Sequence, residues 1–182
     1  MTETLLVTIT GPDRPGVTTR LLGALAPSGF PVLDIEQVVI RGHLVLGLLL
    51  SVDDASADAR SQAVAAVSAA ATELGVQCDV QPGNVEVGSR HPDRLLVTVM
   101  GQPLCPAGLT AVAGAIAERG GNIDRIVRVA SYPVTALELE VSGADHDDLR
   151  QALARVASDS GVDLSVQHPG LTRRGSRLVV MD

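Results

Sequence analysis

The chain has 182 residues with 14 basic and 21 acidic side chains, a formal charge of −7, and every basic residue is arginine. The absence of lysine excludes Schiff-base chemistry and the phosphate loop ending in Gly-Lys-Ser/Thr, and two aromatics, Phe30 and Tyr132, are too few for a base-stacking platform or an ammonium cage. A pI near 5.0 disfavours phosphate backbones and anionic membranes, so neither nucleic acid nor membrane is an expected partner.

In chain order, Leu5 to Thr10 is β-branched and apolar and predicts a strand. The loop Gly11-Pro12-Asp13-Arg14-Pro15-Gly16 leads to a helix with an apolar stripe at Val17, Leu21 and Leu25, with Pro15 suited to the first helical position and Gly29 ending the helix. Two strands, Val32 to Ile40 and Leu44 to Val52, meet at Arg41-Gly42. A helix from Ala57 to Leu74 and a short strand ending near Gln81 follow. Pro82 to Pro92 is polar with Gly and Pro, and reads as a linker. The pattern then returns: a strand from Leu95 to Met100 and a helix with its stripe at Leu109, Val112, Ala113, Ile116 and Ala117, ended by Gly120-Gly121. After it come strands Ile123 to Ala130 and Val134 to Val141 around Ser131-Tyr132-Pro133, a helix from Asp145 to Ser160, and a strand ending near Gln167.

The return is an internal repeat. Leu5-Leu6-Val7-Thr8-Ile9-Thr10-Gly11 and Leu95-Leu96-Val97-Thr98-Val99-Met100-Gly101 share five of seven residues, and Pro15-Gly16-Val17-Thr18 matches Ala107-Gly108-Leu109-Thr110. The length therefore divides into two α+β modules of order βαββαβ, the ferredoxin-like plan, with residues 1–82 and 94–169 as domains, 83–93 as linker, and 170–182 as a second linker and strand. Leu137-Glu138-Leu139-Glu140-Val141 alternates, as a sheet with one wet face requires. Leu44-Val45-Leu46-Gly47-Leu48-Leu49-Leu50 is apolar on both faces, which calls for a second copy of the module or a second chain against it; a homodimer or larger homo-oligomer is expected.

The first loop carries the chemistry. Free N–H groups at a helix start attract a carboxylate, Gly16 lets a ligand approach the backbone, and Asp13 could accept from an ammonium group, so an amino acid fits. The competing reading is that Asp13 caps the helix. Cys78 and Cys105 lack disulfide or zinc spacing and read as free thiols in a reducing compartment. His43, His91, His146 and His168 show no ligand spacing, and Asp145-His146-Asp147-Asp148 reads as an acidic helix start, so no metal site is expected. The N-terminus has no basic region ahead of an apolar one, and the longest apolar run is far short of the roughly 20 residues of a membrane helix; a cytoplasmic location is expected.

The Gly-x-Asp-Arg-Pro-Gly-Val loop after Leu5-Leu6-Val7-Thr8-Ile9, with Gly121-Asn122-Ile123 opening a second strand in the other copy, resembles the ACT domain, a βαββαβ module that binds amino acids and regulates metabolic enzymes. The resemblance spans about Leu5 to Gln167. It implies a ligand site drawn from Asp13, Gly16, Val17 and Thr18 in the first copy and from Gly108, Leu109, Thr110, Asn122, Ile123 and Asp124 in the second.

Arg177-Leu178-Val179-Val180-Met181-Asp182 resembles the opening of the haloacid-dehalogenase-type phosphatase motif, an apolar strand leading to a nucleophilic aspartate. Tandem ACT modules joined to that strand resemble the N-terminal region of the long phosphoserine phosphatases of actinobacteria. The resemblance implies a serine-sensing regulatory region in serine biosynthesis that sets the assembly or activity of a phosphatase domain. In the whole enzyme Asp182 would be nucleophile and magnesium ligand; the chain itself is expected to be neither catalytic nor cofactor-bearing, because the second aspartate and the lysine of that family are absent. Arg173, Arg174 and Arg177 then read as a linker docking on a neighbouring domain. The alternative is a stand-alone tandem-ACT adaptor acting by protein contact.

Overall fold

Alternation along the strands decides which way each one faces. In the first unit β1 (Thr2–Pro12) buries Leu5, Val7 and Ile9, and β3 (His43–Ser51) buries Leu44, Leu46, Leu48 and Leu50. Residues two apart share a face, so both strands present one apolar side to the same core. With β2 (Val32–Ile40) and β4 (Gln77–Val85) they form an antiparallel sheet of order β2-β3-β1-β4. Helix α1 (Val17–Leu25) adds Val17, Leu21 and Leu25 to that core, the predicted stripe, and α2 (Ala57–Leu74) adds Ala63, Val67 and Ala71. Ser56 caps α2, accepting from the Ala59 N–H at 3.2 Å, and left-handed Gly75 (φ 66°) ends it.

The second unit repeats the plan with β5 (Leu95–Gly101), α3 (Pro106–Ala117), β6 (Asn122–Ala130), β7 (Thr135–Ser142), α4 (His146–Ser160) and β8 (Asp163–Gln167), in sheet order β6-β7-β5-β8. Asp145 caps α4, its Oδ1 accepting from the Asp147 and Asp148 N–H groups at 3.0 Å each. The acidic run is thus a helix start, and the helix begins one residue later than expected.

The computed structural model describes residues 1–85 and 94–168. His91, most of the linker, Arg173, Arg174, Arg177, the strand to Met181 and Asp182 lie outside the described residues. Three expectations need correction. Helix α1 starts at Val17, not Pro15, because Gly16 in the left-handed region (φ 89°) turns the chain into the helix. Among the described α-helices, Pro occupies the first helical position only in α3, at Pro106. Helix α3 turns Gly108 and Ala115 inward with Val112 and Ile116, while Ala117 is exposed. Strand β4 continues to Val85, paired with Thr2, three residues into the stretch read as linker.

The two sheets differ on the side away from their helices. In the second unit Glu138 and Glu140 stand there, and Arg94 and Arg125 lie 2.9 and 3.8 Å from the Glu140 carboxylate. In the first the matching β3 positions are Gly47 and Leu49, beside Leu6, Val38 and Val45. None of the described helices is long and apolar enough to cross a membrane.

Candidate functional site

The β1–α1 loop is fixed at three points. At Gly11 a Cβ would lie 2.8 Å from Val76 Cγ1 and 3.0 Å from its Cα, so only glycine lets the strand end pass this close to β4's approach. The Asp13 N–H donates to the Gly42 carbonyl at 2.8 Å, tying the loop to the β2–β3 turn. The Arg14 guanidinium donates to the Leu74 carbonyl at the C-terminal end of α2, where carbonyls lack helical partners and the dipole favours a cation.

These anchors determine what the predicted residues do. Asp13 does not cap α1: Gly16 holds the N-cap position and no side chain caps the helix. The Asp13 carboxylate is exposed and has no hydrogen-bond or ion-pair partner among the described residues. Gly16 is exposed, with nothing within 4 Å of a Cβ placed on it, so the backbone at the helix start is open to a ligand. Val17 is in the core and offers only its backbone. Thr18 Oγ1 donates to Gln37 Oε1 at 2.8 Å, linking the first turn of α1 to β2. Gln37 is a neighbour the sequence reading passed over. Its signal is a polar side chain between Ile35 and Val39 on the helix-facing side of β2, opposite Leu46.

The second copy's residues are engaged within their own unit. A Cβ at Gly108 would sit 3.1 Å from Val162 Cγ1, so this glycine makes room for close packing. Leu109 packs against the core, and Thr110 Oγ1 donates to the Pro106 carbonyl at 2.9 Å. Asp124 accepts from Asn122 Nδ2 at 2.7 Å and Ser142 Oγ at 3.0 Å, and Arg94 Nε lies 3.4 Å from its other oxygen. Ile123 packs against the core. The free carboxylate and the uncapped helix start therefore coincide in the first unit, while in the second the matching positions serve packing and an internal polar cluster.

Two histidines come together unannounced by their spacing: the rings of His146 and His168 stack at 4.6 Å, over a shallow concavity of about 650 Å³ also lined by Asp145 and Asp147. Stacked rings do not aim their nitrogens at one point, and among the described residues no group of three or more His, Cys, Asp or Glu is placed to hold a metal ion. Cys105 is exposed beside the start of α3, and Cys78 is half-buried. Burial, the largest cause, raises the Cys78 thiol above its ordinary range, helped by the Asp79 charge and opposed by a hydrogen bond with Ser68.

Residues 3–81 and residues 94–167 each match a sequence family described as ACT domain. The chain is 46% identical over 179 residues to a phosphoserine phosphatase of Streptomyces coelicolor, covering 98% of this chain and 43% of that protein. It is 40% identical over 182 residues to phosphoserine phosphatase SerB2 of Mycobacterium tuberculosis, covering 98% and 44%. The chain thus spans under half the length of these curated relatives. Among solved structures, a protein of unknown function from Galdieria sulphuraria superimposes with a TM-score of 0.72 at 20% identity, over 92% of this chain and 99% of that one. A candidate glycine cleavage system transcriptional repressor does so with a TM-score of 0.70 at 16% identity, over 92% and 97%. Both likenesses concern the fold.

Proposed function

The chain belongs to the ACT-domain family, and from that premise we propose that it is the amino-acid-sensing region of a phosphoserine phosphatase, with L-serine as the ligand and the first unit as the principal receptor. One observation carries this: Asp13 presents a carboxylate without a partner among the described residues, three residues before the uncapped, unobstructed start of α1 at Gly16. An amino acid has the matching pair of charges. Its carboxylate takes the N–H groups and positive dipole end of α1, and its ammonium group takes Asp13. Thr18 and Gln37, already hydrogen-bonded to each other, supply hydroxyl and amide partners that a serine side chain could share.

The likeness to the two phosphatases supports placing this sensor in serine biosynthesis. Hydrolysis of phosphoserine, with magnesium as cofactor, is assigned to the part of such a protein outside the matched share. The sensor acts by linkage. Serine shifts the assembly or activity of the whole only by the difference in its affinity for the two states. We place this region in the cytoplasm, as a homodimer or larger homo-oligomer.

Calorimetric titration with serine, glycine and phenylalanine tests the reading. Serine should bind and Asp13→Asn should weaken it at least about tenfold, the loss of one charge-assisted contact. Failure of the wild-type chain to bind any of the three overturns the sensor, and equal binding by Asp13→Asn overturns the role of Asp13.

A further inference from the structure

A hollow of about 210 Å³ opens at one end of the first sheet, lined by Thr10, Gly11, Pro12, His43, Gly75 and Gln77. Thr10 alternates with buried Ile9 on β1, and His43 with buried Leu44 on β3, so both point away from the helices. Gln77, paired with Thr10 on β4, shares that side. Thr10 Oγ1 donates to Gln77 Oε1 at 3.4 Å, which leaves the Gln77 amide N–H groups free among the described residues. His43 has no hydrogen-bond or ion-pair partner among the described residues, and an imidazole carries at least one N–H donor in either protonation state. Arg14 stands at the rim, its Nη2 3.9 Å from where a Cβ on Gly75 would lie. The contact with the Leu74 carbonyl engages only that nitrogen and leaves the other guanidinium donors free among the described residues. Of the flanking acidic residues, Glu73 is held by Arg20 at 2.6 Å and Asp79 by Gln81 Nε2 at 2.7 Å. Asp13, next to Pro12, is exposed, and solvent screens its charge. The repeat shows that the fold does not require this donor set. Met100 and Asp163, paired on β5 and β8, replace Thr10 and Gln77, Val134 replaces His43, and the loop after Gly101 has no arginine.

We propose that this hollow binds a small phosphoryl dianion, either free phosphate or a phosphate monoester, at a site separate from the amino-acid site. Three donor groups without partners, on the β1–α1 loop, β3 and β4, suit the three terminal oxygens of a phosphoryl group. A carboxylate has only two. Arg14 supplies a charge that persists at any working pH, with His43 and Gln77 as directional donors. The volume lies below the roughly 300 Å³ at which pockets begin to take drug-sized ligands, so the occupant is small. Pro12, His43, Gly75 and Gln77 are exposed at its mouth, which leaves room for the organic part of a monoester to project into solvent. The amino-acid site uses Gly16, Thr18 and Gln37 on the helix-bearing side of the sheet, and this one lies across the sheet from them. The two sources of the phosphoryl group come from the phosphatase reading above, and the site itself does not depend on it.

Calorimetric titration of the full chain with inorganic phosphate and with O-phosphoserine tests it, alongside His43→Val and Gln77→Asp, which copy the second unit. Both positions are exposed, so circular dichroism should stay native in each variant. Wild type should bind phosphate with a dissociation constant of about 1 mM or below, weakening as salt is added. His43→Val should weaken it at least about fivefold, and Gln77→Asp, which adds a like charge, at least about tenfold. Serine affinity should stay within about twofold in both. Tighter binding of phosphate than of phosphoserine supports the site with the free ion as its ligand, and the reverse order supports it with the monoester. No saturable binding of either compound, or binding that both folded variants retain in full, overturns the site. A parallel loss of serine binding in both variants overturns its separateness. Phosphate binding that persists in a chain that fails to bind serine supports this site and overturns only the sensor.

Discussion

Arg14 donates from its guanidinium to the carbonyl of Leu74, sixty residues along the chain, one of three anchors of the loop between β1 and α1. In the motif Asp13 and Arg14 stand side by side. The arginine reaches along the surface to the end of α2, and the exposed aspartate carboxylate has no partner among the described residues. Arg14→Ala should therefore cost about 1 kcal/mol of stability through the lost hydrogen bond and dipole contact. It should weaken amino-acid binding indirectly, by loosening the loop that presents Asp13. The separating measurement is thermal melting with and without ligand. A variant that keeps its melting temperature but loses binding would show Arg14 touching the ligand directly.

Gly16 carries a backbone requirement and no packing requirement. Its φ of 89° is strained for any side chain, while the space around a Cβ is empty. Gly16→Ala should destabilise the first unit by about 1–2 kcal/mol, a fall of several degrees in melting temperature for a domain of this size. Gly16→Asn, which tolerates left-handed backbone better, should recover part of that loss without restoring full ligand affinity, because its side chain occupies the approach to the helix start. Recovery of both together would argue that the approach is not used.

How much of this was legible depends on where each determinant resides. Strand alternation and the Val17, Leu21, Leu25 stripe are local and read directly from side chains. The face of α3 is not, because Ala111 to Ala117 is almost wholly small or apolar and offers no polar side to mark solvent; only packing against its neighbours turns Gly108 and Ala115 inward. From the loop alone Asp13 as cap is the favoured reading, and the structure overturns it. The choice is made by Gly42 and Leu74, distant in sequence, which hold the loop so that Gly16 takes the cap position. The His146–His168 stack joins a helix start to a strand end and has no spacing signature at all.

Gly108 has a packing reason of its own beside the one the family motif implies. Matched to Gly16, it reads as a ligand glycine, yet its φ is unremarkable and a Cβ there would press on Val162 at 3.1 Å. Gly108→Ala should destabilise the second unit by about 1 kcal/mol through overpacking and leave serine affinity within about twofold, a shift of under ~0.5 kcal/mol. Adding Val162→Ala should make the alanine easier to accommodate, so the double variant loses less than the sum of the two single losses. Strict additivity in chemical denaturation would count against the close approach. A tenfold loss of serine binding would return Gly108 to the ligand site.

The two thiols should separate by reactivity and by their effect on stability. Cys105 is exposed and should react first with a disulfide reagent, while Cys78, half-buried, should react slowly. Burial raises the Cys78 thiol above its ordinary value of 9.0. A raised acid binds its proton more tightly folded than unfolded, so the unfolded chain loses that proton first as pH rises. Stability from this group is therefore constant below the ordinary thiol range and declines as pH climbs through about 9. Cys78→Ala should flatten this alkaline decline in denaturant titrations, at the expense of some packing against the first core. An identical decline in wild type and Cys78→Ala would assign it to other groups.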